Sequence, residues 1–163
     1  MTSARRSVVS SLLLIVPALW LGLVLALSFI ETPLKFTVEG MQLPVALGLG
    51  RLVFTASNIA GFVLLAAITA LALIPPRRGR GVLAVVGGLW VVLLVQVLAI
   101  RPPLNARSDI IVAGGDPGDS PLHVLYAGAD GVIAVLLVVL IVLGMRVPFD
   151  SLRSLRDRES SGA

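Results

Sequence analysis

The sequence predicts an all-α fold, a transmembrane antiparallel four-helix bundle. The 163 residues are 57% hydrophobic, with a mean hydropathy of +1.02, which leaves no room for a soluble domain of ordinary size. Four stretches are each long enough to cross a bilayer, since a span needs about 20 apolar residues. The four stretches are residues 7–30, 52–76, 81–100 and 120–145, and the only charged residue within them is Asp130. Their short links favour an up-down-up-down order.

The first span is predicted at about residues 8–30. Arg5 and Arg6 precede this run, and residues 26–28 resemble the cleavage site of a signal peptide. The run is longer than the roughly 7 to 15 apolar residues of such a peptide. An uncleaved first span is therefore expected.

Prolines predict the ends of the other spans, because proline lacks a backbone N–H and restricts the residue before it. Prolines 75–76 and 102–103 are expected to end the second and third spans, and Pro148 follows the fourth. Pro44 is expected to open the second span, and Ser120 with Pro121 supplies a cap and a first helical residue for the fourth. The predicted spans are about residues 45–74, 82–100 and 121–145.

Small residues recur at every fourth position in three spans, a spacing that lets helix backbones approach closely in lipid. They are Ala18, Gly22 and Ala26, then Ala56 and Ala60, then Ala127 and Gly131. One interpretation places these positions between the helices of one bundle formed by residues 1–148. The other is that a Gly- and Ala-rich sequence produces such spacings by chance, and the sequence supports both equally for any one pair. Residues 149–163 are predicted to be a cytoplasmic tail, amphipathic at first and then disordered.

The basic residues predict the orientation. Nine lie at the N-terminus, in the second link and at the C-terminal end, whereas four (Lys35, Arg51, Arg101 and Arg107) lie in the first and third links. The positive-inside rule then places both termini in the cytoplasm. Because the basic residues flank apolar spans, they favour membrane orientation over nucleic-acid binding. Twelve Arg and one Lys are typical of a GC-rich bacterial genome, so the bacterial plasma membrane is the expected location.

Polar residues gather toward the outer ends of the spans. Asp130 is 16 positions from Arg146, and Gln96 is 16 positions from Arg80, so each lies roughly 24 Å from its inner boundary at a helical rise of about 1.5 Å. The two side chains are therefore predicted at one level. The whole predicted cluster is Glu31, Lys35, Arg51, Asn58, Gln96, Arg101, Asn105, His123, Tyr126 and Asp130.

Asp130 requires a partner or a proton, since a carboxylate within a span costs about 2.5 to 3.5 kcal/mol on insertion scales. Arg51 and Arg101 are the predicted partners. One interpretation of the cluster is an outward-open pocket for a small solute, ion or proton. The other is an internal polar network that holds the outer ends together, and the sequence supports both equally.

Other chemistries lack the residues they need. One histidine, three methionines and no cysteine do not supply a bis-His haem or a soft metal site, so no cofactor or metal is expected. Asp109, Asp116 and Asp119 lack the spacing of a calcium loop, and no catalytic motif is present. The sequence indicates a protein that is not an enzyme. Its expected partners are the lipid bilayer and a homo-oligomer or a larger membrane complex, with an accessory subunit as the main alternative function.

Four strings resemble a family of small four-span bacterial membrane proteins of unknown function: residues 23–36, 48–58, 104–114 and 122–130. The layout is also distantly similar to four-span proteins associated with cisplatin resistance. The family pattern has a glutamate three residues after Asn58 and a lysine three residues after Asp130. This chain has Gly61 and Ile133 there. The joint absence of both implies that the family pair is a structural ion pair.

Overall fold

The computed structural model describes residues 3–75 and 78–161, with backbone alone for residues 3, 6 and 146–161. This part of the chain forms four long helices and no strand, which confirms the predicted all-α four-helix bundle. The first helix consists of α1 (Ser3–Val24), a π-helical segment (Leu25–Glu31) and α2 (Thr32–Lys35). The second helix is α3 (Leu43–Leu73), and the fourth is α6 (Leu122–Ser161). The third helix consists of α4 (Arg80–Val95), a π-helical segment (Gln96–Ile100) and α5 (Arg101–Val112).

The helices form a closed square. Each packs against its neighbours in the sequence, and α6 also packs against α1. A Cβ added to Gly144, near the middle of the fourth helix, would lie 2.9 Å from Cδ2 of Leu14 in the N-terminal half of the first. We call the end of the bundle at which the first helix begins the terminal end. We call the opposite end, where residues 36–42 and 113–121 connect the helices, the distal end.

Toward the terminal end of the bundle, the core is apolar. Its largest fully buried side chains include Trp20, Leu65, Leu89, Ile133 and Leu137. Close packing of these side chains supports one compact arrangement of the four helices.

The outside of the bundle is apolar as well. The four helices have windows with mean hydropathy of 2.0 to 2.6, and only 22 to 28% of the residues in each window are buried within the protein. Val91, Leu98 and Val124 expose 62 to 73% of their surface. Apolar residues on all sides of helices of spanning length indicate a multi-pass membrane protein.

Two predicted boundaries are confirmed. Ile74, which precedes Pro75, has an extended ψ of 128°, and α3 ends at Leu73. The start of α3 at Leu43 uses Pro44 in its first turn, where a missing N–H costs no helical hydrogen bond. Pro76 lies outside the described residues.

Two other predicted ends are wrong. The third helix continues through Pro102 and Pro103 to Val112, and the first continues through Pro33 to Lys35. In both cases a π-helical segment directly precedes the prolines. The N–H of Thr32 donates to the carbonyl of Leu27, five residues back, and the corresponding bond in the third helix spans five residues too. A proline ring clashes with the carbonyl four residues before it in an α-helix, and the wider π turn relieves that clash.

The small-residue stripe of the first span was also predicted wrongly. Ala18, Gly22 and Ala26 are exposed on the outside of the bundle, and a Cβ on Gly22 would meet nothing within 4 Å. The close approach occurs elsewhere: a Cβ on Gly61 would lie 3.3 Å from Cζ2 of the buried Trp20. The indole therefore packs against the helix backbone at Gly61.

The fourth helix does not end at residue 145. Its backbone remains helical to Ser161, past Pro148. The predicted amphipathic tail thus has a helical backbone over residues 149–161, and residues 162–163 lie outside the described part of the chain.

Candidate functional site at the distal end

Asp130 lies at the centre of a buried hydrogen-bond network. The Asp130 side chain is fixed by two donors: Ser28 Oγ donates to Oδ2 at 2.6 Å, and Gln96 Nε2 donates to Oδ1 at 2.7 Å. Asp130 is 6% exposed and Gln96 is fully buried. The predicted common depth of Asp130 and Gln96 is confirmed by their direct contact.

Both donors to Asp130 come from the π-helical segments. Ser28 lies within Leu25–Glu31, and Gln96 begins Gln96–Ile100. Ser28 lies inside its segment, so the wider turn changes the direction of its side chain. Gln96 is the first residue of its segment and precedes the wider turn.

A second buried pair adjoins this network. Tyr126, one turn before Asp130 on α6, donates its hydroxyl to Oδ1 of Asn58 at 3.3 Å. Two buried polar atoms, Asn58 Nδ2 and Gln96 Oε1, have no hydrogen-bond partner among the described residues. The network is therefore buried but not saturated.

The arginines do not pair with Asp130. Arg51 forms an ion pair with Asp109 on α5, and Arg101 donates to Thr55 Oγ1 and to the Arg51 carbonyl. The prediction that one of them neutralises Asp130 is wrong. The reason is the unforeseen continuation of the third helix, which brings Asp109 within reach of Arg51.

Lys35 is a buried cation at the distal end of the first helix. It is 7% exposed, and the nearest carboxylate oxygen, Oε2 of Glu31, is 3.5 Å from Nζ. The ammonium also lies 5.4 Å and 5.6 Å from the ring centroids of Phe54 and Phe36. Each such contact contributes about 0.5 to 2 kcal/mol, whereas removing an ammonium from water costs several kcal/mol after relaxation. Lys35 is therefore incompletely compensated by the described part of the protein.

A cleft opens beside Lys35. Its volume is about 50 Å³, enough for a few water molecules or a small ionic group. We call it the distal cleft; it is lined by Lys35, Phe36, Ala46, Leu47, Gly50, Arg51, Phe54, Leu104, Asn105, Ser108 and His123. All four long helices or their distal extensions contribute to it.

Phe54 separates the distal cleft from the buried network. One of its contacts is with the ammonium of Lys35, and its ring centroid is 4.7 Å from that of Tyr126. The polar groups at this end thus form two compartments, an open one around Lys35 and a closed one around Asp130.

The structure divides the ten predicted residues between these compartments. Lys35, Arg51, Asn105 and His123 line the cleft, and Glu31 borders it through Lys35. Asn58, Gln96, Tyr126 and Asp130 lie in the closed network, and Arg101 braces α5 against α3. The prediction of a single pocket holding all of them does not describe this arrangement.

The participants that the sequence prediction missed include Ser28, Phe54 and Ser108. Ser28 stands three residues before Glu31, so its position near the predicted cluster was a usable signal. Phe54 precedes Asn58 by one helical turn on the same face. Ser108 lies beyond the prolines, and its placement depended on recognising that the helix continues.

Comparisons with models of protein families, with curated proteins and with solved structures find no match to this chain. The chemistry of the site is therefore argued from its own residues. The described residues contain no group of three or more His, Cys, Asp or Glu side chains arranged to hold a metal ion. What the distal cleft offers is a buried ammonium, a second cation and neutral hydrogen-bonding groups.

Proposed function

We propose that the protein is a multi-pass protein of the bacterial plasma membrane that binds a small polar solute or ion in the distal cleft. Both termini would lie in the cytoplasm, so the cleft would open to the outside. The charge distribution supports this orientation. The activity we propose is binding, without catalysis.

The observation that carries the proposal is the incompletely compensated Lys35 at the wall of an open cleft. A purely structural lysine would be expected to have close partners for its donors, as Asp130 has for its oxygens. The Asp130 network, buried and held by two donors from other helices, serves in this proposal as a structural tie that supports the cleft.

The main alternative is an accessory subunit that packs on a larger membrane complex. It is favoured by the large apolar surface that each helix leaves uncovered. A bundle of four helices is also narrow for a transport path through one copy, so permeation would require a homo-oligomer or a partner.

Two matched asparagine substitutions test the proposal, since the chain has no cysteine of its own. In intact cells, Asn105→Cys should react with a membrane-impermeant thiol reagent, and Asn58→Cys should not, because Asn58 is 5% exposed in the closed network. A low-molecular-mass extract of the source cells should slow the reaction at position 105.

The alternatives give different results. Unreactive cysteines at both positions in purified protein would overturn the open cleft. Protection of position 105 in native membranes but not after purification would favour the accessory-subunit function. Equal reactivity at both positions would restore the single open pocket that the sequence predicted.

A further inference from the structure

We propose that the distal cleft binds the oxyanion of a phosphate or carboxylate group, and that Lys35 is its main ligand. This inference rests on the proposed function of the cleft as a binding site and names the chemical class of its occupant.

Lys35 uses little of its hydrogen-bond donor capacity within the described part of the protein. An ammonium carries three donors and no acceptor. Among the described residues, the only hydrogen bond of Nζ is the 3.5 Å contact with Glu31, at the limit for such a bond, so most of its donor capacity remains. Lys35 is also more than nine-tenths buried, which strengthens its attraction for an anion relative to that of a solvated lysine.

The second argument is the backbone that faces Lys35. A Cβ on Gly50 would lie 2.9 Å from Nζ. The absence of a side chain at position 50 thus leaves the ammonium room against α3, on the side where the cleft opens. A residue of any other type would compete for this space.

The third argument is the charge of the lining. Two cations, Lys35 and Arg51, line the cleft, and none of its eleven lining residues is acidic. Glu31 and Asp109 approach these cations from outside the lining. A cationic ligand would meet like charge there, whereas an oxyanion would meet Lys35 together with the polar side chains of Asn105 and His123.

An oxyanion at this level has two sources. One is the phosphate of a lipid headgroup in the adjoining leaflet, and the other is a soluble phosphate or carboxylate. Both present negatively charged oxygen atoms to the ammonium, so the experiment must separate them.

The test measures the thermal unfolding midpoint of the purified protein in a non-ionic detergent, with sodium phosphate or sodium chloride at equal ionic strength. A ligand that binds the folded state raises the midpoint. Phosphate should therefore stabilise the wild type beyond chloride. Lys35→Met should weaken the apparent affinity about tenfold or more, because a charge-assisted bond is lost.

Two further variants keep the test decisive. Arg107→Gln removes one positive charge from the same end, but Arg107 donates to the Gly118 carbonyl and does not line the cleft, so it should keep the phosphate response. Gly50→Ala keeps every charge and improves helix propensity, yet its Cβ intrudes beside Nζ. Because the atom that this Cβ meets is the flexible end of Lys35, the variant should fold with Nζ displaced and respond more weakly to phosphate, which separates binding from folding.

A second experiment measures the same unfolding midpoint in lipid bilayer discs of phosphatidylcholine, with and without phosphatidylglycerol. Stabilisation by phosphatidylglycerol, removed by Lys35→Met, identifies a lipid source; stabilisation by inorganic phosphate in detergent identifies a soluble one. A response to neither, or a response that survives Lys35→Met, would overturn the proposal. If position 105 still reacts from outside in that case, the open cleft stands and only the class of its ligand is wrong.

Discussion

Two buried ionisable side chains at the distal end, Asp130 and Lys35, differ in how completely they are hydrogen-bonded. Each oxygen of Asp130 accepts a short hydrogen bond from a neighbouring helix. Lys35 has one long contact with a carboxylate and two aromatic neighbours. The first pattern fixes a side chain in place, and the second leaves bonding capacity for another molecule. This difference is why we assign structure to Asp130 and binding to Lys35.

A pair of substitutions at position 130 tests the structural role. Asp130→Leu leaves the donors Ser28 Oγ and Gln96 Nε2 without an acceptor, and it should lower the free energy of unfolding by about 1 kcal/mol or more beyond the effect of Asp130→Asn. Chemical or thermal unfolding in detergent measures this difference. Asp119→Leu, at an exposed acid in the connection before α6, is the control and should change little. Equal stability of the Asp130→Leu and Asp130→Asn variants would remove the structural role.

The sequence predicted the depth of this network but not its partners. Counting helical rise was enough to place Asp130 and Gln96 at one level, and the structure shows that they are in contact. Ser28 was missed because an apolar run shows no sign of a π turn, which rotates the residues after it. Arg51 was assigned to Asp130 because Asp109 was expected in a loop after Pro103, and a loop residue has no predictable distance to a helix.

Among the elements, the helices were predictable and their close contacts were not. Long uncharged runs place four spans with few alternatives. Small residues repeat in many registers of a Gly- and Ala-rich chain, so their spacing alone does not say which side faces another helix. In the structure the close contact is at Gly61, which packs on Trp20, whereas Gly22 lies on the outside of the bundle.

Two valine substitutions test that selection. Gly61→Val should lower the free energy of unfolding by about 1 to 3 kcal/mol through overpacking, because even a Cβ would lie 3.3 Å from the Trp20 ring. Gly22→Val makes the same chemical change at an exposed position and should have a much smaller effect. Thermal unfolding of both variants, with Trp fluorescence as a second signal, checks the difference. A larger loss for Gly22→Val would indicate that the exposed face is an interface.

For the whole molecule, the antiparallel square brings both termini to one end and the polar compartments to the other. The distribution of basic residues then predicts which end faces the cytoplasm. The overall architecture followed from hydropathy and charge. The division of the polar residues into two compartments did not, because it depends on where one aromatic ring, Phe54, lies between Lys35 and Tyr126.

Single cysteines in the two kinds of connection test the orientation. Glu39→Cys lies in the exposed first connection, and Gly79→Cys lies in the second, where an added Cβ meets nothing within 4 Å. Only the cysteine at 39 should react with an impermeant thiol reagent in intact cells, and both should react after permeabilisation. The opposite pattern would reverse the membrane orientation. Gly115 is a poor position for the test, since a Cβ there would lie 2.9 Å from Ile110 Cγ2.

The paired π-helical segments also bear on how the chain would align with its relatives. A hydrogen bond to the fifth residue back encloses one residue more than a bond to the fourth, so each segment amounts to a local insertion of one residue. A relative that keeps ordinary α-helices there would align with a one-residue gap near residues 25–31 and another near 96–100. Because one segment contains Ser28, the other begins at Gln96, and both side chains donate to Asp130, we expect the two gaps to occur together, in chains that also lack the acid at position 130.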